Sequence, residues 1–220
     1  MSTAQTPRWT GQFGRAYTDR NNLSLYALDA LYEGNYGVTR RELNRRFLAG
    51  LRSDARILEV GCNIGNQLKL LRELGFFNLY GIEIQHYALK QAKSRTPEIK
   101  VAEASALEIP FPDNSFDLVF TSGVLIHIAP CDIARVLREI HRCTKRYIWG
   151  FEYYSPTCVE VAYRGNRNLL WKMNYAQAFL DQFEDLQLLR SQQLTYLQNS
   201  NVDCMFLLEK SRTECAEQKP

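Results

Sequence analysis

The chain has 220 residues, 45% of them hydrophobic and 23% charged. Those values suit one α/β domain with its own core and exclude a largely disordered chain. A formal net charge of +3 is too small to point to nucleic acid or a membrane surface, no apolar run reaches the length of a membrane span, and six cysteines without a C-x-x-C pair read as reduced thiols.

In chain order, the polar ends Met1–Pro7 and Ser211–Pro220 lack apolar periodicity and are expected to be disordered. The first residues carry no apolar signal region, which favours a cytoplasmic protein. Apolar spacing predicts helices over Leu23–Tyr32 and Thr39–Leu51, broken by the turn signal Gly34-Asn35-Tyr36-Gly37. The pairs Arg40/Arg41 and Arg45/Arg46 read as a solvated helix face. Strand and helix then alternate. Strands are expected at Arg56–Val60, Leu79–Ile84, Ile99–Ala102, Phe116–Thr121 and Arg146–Glu152, with Leu186–Leu194 and Val202–Glu209 as a closing hairpin-like edge. Helices are expected at Gly65–Leu74, Tyr87–Arg95, Cys131–Arg142 and Tyr175–Phe183. The division is a helical cap or lid over residues 1–51, an α/β domain over 52–210 and a tail over 211–220. Such alternation implies a parallel sheet with helices on both faces, which binds ligands beyond the carboxyl ends of its strands.

The strongest local signal is Glu59-Val60-Gly61-Cys62-Asn63-Ile64-Gly65, directly after a buried strand and opening a helix. Gly61 permits a sharp turn and close backbone approach, Asn63 tolerates a left-handed conformation, and Gly65 is expected to allow close packing at the helix start. The free N–H groups there suit a carboxylate. A dinucleotide fingerprint requires G-x-G-x-x-G, and here Asn63 and Asn66 stand at its second and third glycines, which opposes NAD or FAD. Glu83, with Ile84 beside it, ends the second strand, where a carboxylate can accept both hydrogens of a ribose diol. No His/Cys/Asp cluster has metal spacing, so no metal is expected.

The loop resembles the E-x-G-x-N-x-G variant of class I methyltransferases. Glu103-Ala104-Ser105-Ala106-Leu107-Glu108-Ile109-Pro110-Phe111, followed by Phe116-Asp117-Leu118-Val119, resembles that class's adenine-side segment and fourth strand, with Ser105 where aspartate is commoner. The resemblance implies a Rossmann-like fold: a seven-stranded, mostly parallel sheet with an antiparallel last strand, helices on both faces and an N-terminal helical cap. It implies S-adenosylmethionine (SAM) as cofactor, held by Glu59, Gly61, Asn63, Gly65, Glu83, Ile84, Ala104, Ser105 and Ser122. Three further stretches, Tyr36-Gly37-Val38-Thr39-Arg40 with Asn44, Gly123-Val124-Leu125-Ile126-His127-Ile128, and Glu152-Tyr153-Tyr154-Ser155-Pro156 leading to Tyr163-Arg164-Gly165, look like methylases associated with pseudaminic acid biosynthesis. That association implies a small, sugar-type acceptor and a role in polysaccharide biosynthesis.

Transfer from a sulfonium to an oxygen or protonated nitrogen needs positioning and a base. His127, after the fourth strand, is the first candidate base. Glu152, ending the fifth, is the second, or else a partner of Arg164. Phe13–Asn21 is expected to form a lid that excludes water, as similar segments do in the class. Tyr17, Arg20, Tyr153, Tyr154 and Arg164 are the expected acceptor contacts, through stacking or a bidentate grip on a carboxylate. A small-molecule partner is expected, without nucleic acid or membrane. Methylation of a protein side chain, tRNA or another metabolite stays open, as does a SAM-binding interaction protein without turnover.

Overall fold

The computed structural model describes residues 3–211. Four helices come first: α1 (Thr6–Thr10), α2 (Gln12–Arg20), α3 (Leu25–Tyr36) and α4 (Arg40–Phe47). The α/β part follows as β1 (Arg56–Val60), α5 (Asn66–Glu73), β2 (Asn78–Glu83), α6 (His86–Arg95), β3 (Lys100–Glu103), β4 (Phe116–Ser122), α7 (Pro130–Cys143), β5 (Thr144–Tyr153), the two-residue strands β6 (Val159–Glu160) and β7 (Trp171–Lys172), α8 (Tyr175–Gln182), β8 (Leu186–Thr195) and β9 (Val202–Lys210). One seven-stranded sheet has the order β3-β2-β1-β4-β5-β9-β8. Strands β1 to β5 pair in parallel, and β9 is antiparallel to both neighbours.

The period-two alternation of side chains sends successive residues to opposite faces, so one sheet carries two cores. Leu58, Val119 and Ile148 pack with Val136, Leu137 and Ile140 of α7 and Phe179 of α8. Their sequence neighbours Ile57, Leu118, Phe120 and Trp149 pack on the other face with Leu43 and Phe47 of α4 and Leu68 and Leu71 of α5. The strand order reverses between β1 and β4, so the switch point lies at their carboxyl ends.

Three expectations change. Thr3–Pro7 is ordered: Gln5 is buried and Pro7 sits in the first turn of α1, where its missing N–H costs nothing. Met1, Ser2 and the tail from residue 212 lie outside the described residues. Helix α3 runs through Gly34 and Asn35, and the residue that stops it is Gly37, at φ 71°, whose N–H reaches the Glu33 carbonyl. Arg40 is not on a solvated face. It is 0% exposed, because the helical period turns Arg40, Leu43, Asn44 and Phe47 inward together. Its guanidinium donates to Asn44 Oδ1 at 2.9 Å and Tyr32 Oη at 3.0 Å and lies 4.4 Å from the Phe151 ring centroid. Arg45 and Arg46 do face solvent, paired with Glu42. The β6–β7 ribbon had no expectation; it is too short for a periodic signal.

Among the described residues no helix is long and apolar enough to cross a membrane.

Candidate active site

The loop after β1 holds three left-handed residues within five: Gly61 (φ 74°), Asn63 (φ 47°) and Gly65 (φ 80°). The N–H groups of Gly61 and Cys62 both donate to the Ile82 carbonyl, at 2.8 and 2.9 Å, tying the loop to β2. A Cβ on Gly61 would stand 2.6 Å from Val124 Cγ2. Its lack of a side chain thus serves a protein contact as well as a left-handed turn. Gly65 needs a different reason from the one expected. A Cβ there would meet Thr96 at 3.4 Å, an ordinary contact, so φ and not crowding requires glycine.

Glu83 closes β2 at 8% exposure. One carboxylate oxygen accepts the Asn63 N–H at 2.8 Å and the other the Gln85 N–H at 2.7 Å. Burial raises its pKa, and the two N–H donors oppose that rise. Each oxygen keeps lone-pair capacity for a further donor. Gln85 caps α6 and reaches the carbonyls of Trp9 and Gly11 at 2.8 and 3.0 Å, fastening α1 and α2 over the strand ends. Around the loop, Glu59 Oε2, Asn63 Oδ1 and Gln67 Oε1 are buried acceptors without a hydrogen-bond partner among the described residues.

After β4 the chain makes a short 3₁₀ turn, Leu125–His127. Glu152, 1% exposed, holds this turn by accepting the N–H groups of Val124 at 3.1 Å and Ile126 at 3.4 Å. Burial pushes its carboxyl up to about 7. Arg164 is exposed and lies over the Tyr163 ring, so the pairing of Glu152 with Arg164 considered from sequence is replaced by backbone contacts. The Nδ1–H of His127 donates to the Leu169 carbonyl at 2.7 Å. That bond sets the tautomer and leaves Nε2 with its lone pair. Burial pulls the imidazole down to about 4. The Trp9 ring lies against it at 4.3 Å between centroids, with Tyr163 at 5.3 Å and Tyr17 at 6.1 Å.

These elements border one cavity of about 500 Å³, within the ~300–1,000 Å³ usual for small-molecule sites. On the β1–β2 side it is lined by Glu59, Gly61, Asn63, Glu83 and Ile84; along β3 and β4 by Ala104, Ser105 and Ser122. His127, Glu152, Tyr17, Arg20, Tyr153 and Arg164 also border it. Gly65 and Tyr154 do not. Tyr154 lies just past β5, with its N–H donating to the Val202 carbonyl, and its side chain packs at the edge of the core around α7 and α8. Sequence reasoning missed Trp9, Tyr32, Tyr36, Gln85, Tyr196 and Asp203, all on the cavity wall. Tyr36 lay in a motif that attracted notice and Gln85 stands two residues past Glu83; Trp9, Tyr32, Tyr196 and Asp203 are single residues brought in from distant segments.

Residues 58–147 match the family model described as a methyltransferase domain. An uncharacterized protein of Methanocaldococcus jannaschii is 33% identical over 53% of this chain and 43% of its own length. The 2-methyl-6-phytyl-1,4-hydroquinone methyltransferase of a Synechocystis strain is 35% identical over 40% of this chain and 28% of its own. The chain spans less than half the length of these relatives. Among solved structures, a SAM-dependent methyltransferase from Methanosarcina mazei superposes with a TM-score of 0.63 at 16% identity, over 77% of this chain and 97% of that one. At that identity the likeness speaks for fold. Residues 58–147 are thus similar to a methyltransferase domain, and the strand order and the superposed structure give the chain a Rossmann-like fold.

Proposed function

We propose that the protein is a SAM-dependent methyltransferase that passes the methyl group to an oxygen or nitrogen of a small acceptor. The observation that carries this reading is the left-handed run Gly61–Gly65, opening α5 beside the buried Glu83 carboxylate at the sheet's switch point.

The residues fit the cofactor. Glu83 has lone-pair capacity for a ribose diol, and Glu59, Asn63 and Gln67 offer unpartnered acceptors for an ammonium. Glu59 and Glu83, both buried, put two carboxylates on this side of the wall, which suits a ligand of net positive charge. When bound, SAM supplies a methyl group on sulfonium, a good leaving group, so the protein's task is positioning. Trp9 and Tyr17 roof the site and exclude water. His127 presents an unprotonated Nε2 to the cavity and takes the acceptor's proton. Glu152 holds the turn that aims it.

A sugar-type acceptor, related to nonulosonic acids and so to polysaccharide biosynthesis, is the finer reading. Its support is the family resemblance, with Tyr153 and Tyr163 as rings on which a sugar face can stack. The test is calorimetry with SAM, S-adenosylhomocysteine (SAH) and NAD on the wild type and on Gly61→Arg. Micromolar binding of the sulfur ligands, absent for NAD and lost in the folded variant, is expected. No binding by folded wild-type protein would overturn the reading. SAH binding with His127→Ala and Glu152→Gln transferring methyl at the wild-type rate would remove both residues from the mechanism.

A further inference from the structure

At the far side of the cleft from the glycine loop, β5 and β9 run side by side with Tyr153 opposite Asp203. Helix α3 lays Tyr32 and Tyr36 across this end, and Tyr196 closes it from just beyond β8. The rings form a continuous wall: centroids lie 4.8 Å apart for Tyr36–Tyr196, 5.4 Å for Tyr32–Phe151, 5.5 Å for Tyr32–Tyr36 and 6.4 Å for Tyr153–Tyr196. Within them sits Asp203, 1% exposed. Its Oδ2 accepts hydrogen bonds from the hydroxyls of Tyr36 and Tyr196, and its Oδ1 has no hydrogen-bond partner among the described residues. All six residues line the cavity. Arg40 and Lys172 lie near enough to favour the charged carboxylate, but their hydrogen bonds go to Asn44 and Tyr32 and to Asn201 Oδ1, at 2.5 Å, and Lys172 also covers the Tyr153 ring.

A buried carboxylate is costly unless something compensates it. Ring faces are negative and attract cations, so an anion inside a ring of tyrosines is the pairing that holds an ammonium. A carboxylate or phosphate entering this lobe would instead meet an acidic interior, with Glu152 on the neighbouring position of β5, so an acidic group on the acceptor lies outside the lobe.

We propose that this lobe seats the acceptor and recognises an amino group on it through Asp203, an inference that rests on the methyltransferase reading above. The amino group is a recognition handle. A protonated nitrogen has no lone pair to receive a methyl group, so the methylated atom is a different one, turned toward His127. The cofactor's own ammonium has a separate set of acceptors in Glu59, Asn63 and Gln67 at the glycine loop.

The test uses the full chain, labelled with 3-fluorotyrosine and saturated with SAH, titrated with n-butylamine and with n-butanol while fluorine resonances are followed by NMR. Signals of Tyr36 and Tyr196, assigned by Tyr→Phe replacement, are expected to shift with the amine at a concentration about tenfold lower than with the alcohol. Asp203→Asn is expected to reduce that preference to about twofold or less while leaving the SAH dissociation constant within about twofold. Equal responses to amine and alcohol in the wild type overturn the proposal, whether or not the variant folds. So does a preference that survives in Asp203→Asn. A variant that loses SAH affinity about tenfold while keeping the amine preference assigns Asp203 to the cofactor, which also overturns it. If the wild type binds no SAH, the methyltransferase reading fails separately, and the same titration without SAH still reports whether the lobe prefers an amine.

Discussion

The two sides of the cleft are built differently. Beside β1 and β2, the wall is made by backbone: three left-handed residues, two N–H groups on the Ile82 carbonyl, and a carboxylate whose oxygens are fixed by the N–H groups of Asn63 and Gln85. Everything needed lies between Glu59 and Gln85. Beside β5 and β9, the wall is made by side chains, with Tyr32 and Asp203 drawn from opposite ends of the chain. A backbone cradle tolerates little substitution, whereas a side-chain lobe can be re-lined residue by residue. The first therefore suits a constant ligand and the second a particular acceptor.

The largest expected effect comes from breaking the backbone side. Gly61→Ala puts a Cβ 2.6 Å from Val124 Cγ2, and the left-handed φ adds strain; together they are expected to cost about 2–4 kcal/mol, read by denaturant unfolding. Adding Val124→Ala should restore the crowding part and leave the strain. Full recovery would show that φ carries no cost. Next is Glu83→Gln, which keeps the shape and removes one acceptor from the pair of N–H groups. A loss of about 1–3 kcal/mol in stability is expected, with SAH binding about tenfold weaker by calorimetry. Unchanged SAH affinity would take Glu83 out of the ribose role.

A third prediction concerns pH. Burial raises Glu152 to about 7, so the folded state holds its proton more tightly than the unfolded state. The associated stability is present below about pH 4.5 and lost as pH rises through 7. Burial lowers His127 to about 4, so the unfolded state binds that proton more tightly and stability is gained as pH rises from about 4 to 6.5. The slopes oppose each other. Relative to wild type, Glu152→Gln should gain stability between pH 4.5 and 6.5, and His127→Asn should lose it, each by up to about 3 kcal/mol. Parallel stability curves in urea would remove both assignments. At the small end, Arg45→Ala and Arg46→Ala break only exposed pairs with Glu42, and an unchanged thermal midpoint is expected. Arg40→Ala, on the same helix, should be strongly destabilising by the same measurement, because it leaves Asn44 and Tyr32 without their donor inside the core.

The contrast between Arg40 and its neighbours also marks how far one sequence can be read. The alternation of strands and helices was legible because it is local: apolar residues at period two or 3.6 declare which face is buried. The glycine loop and Glu83 were legible for the same reason, since left-handed positions demand particular residue types at fixed spacing. The paired arginines read as one basic patch, yet the helical turn sends Arg40 into a π-lined interior and leaves Arg45 and Arg46 in water. Trp9 over His127, the grip of Glu152 on the turn after β4, and Asp203 among its tyrosines left no local trace. Each depends on which segments the sheet order brings together, and β9 enters beside β5 only because the chain passes it to form β8 before turning back. Short-range sterics and hydrophobic periodicity determined the elements and the glycine loop. The β5–β9 side of the cleft was decided by long-range packing, where a single aspartate acquires its character from rings that lie far from it in the sequence.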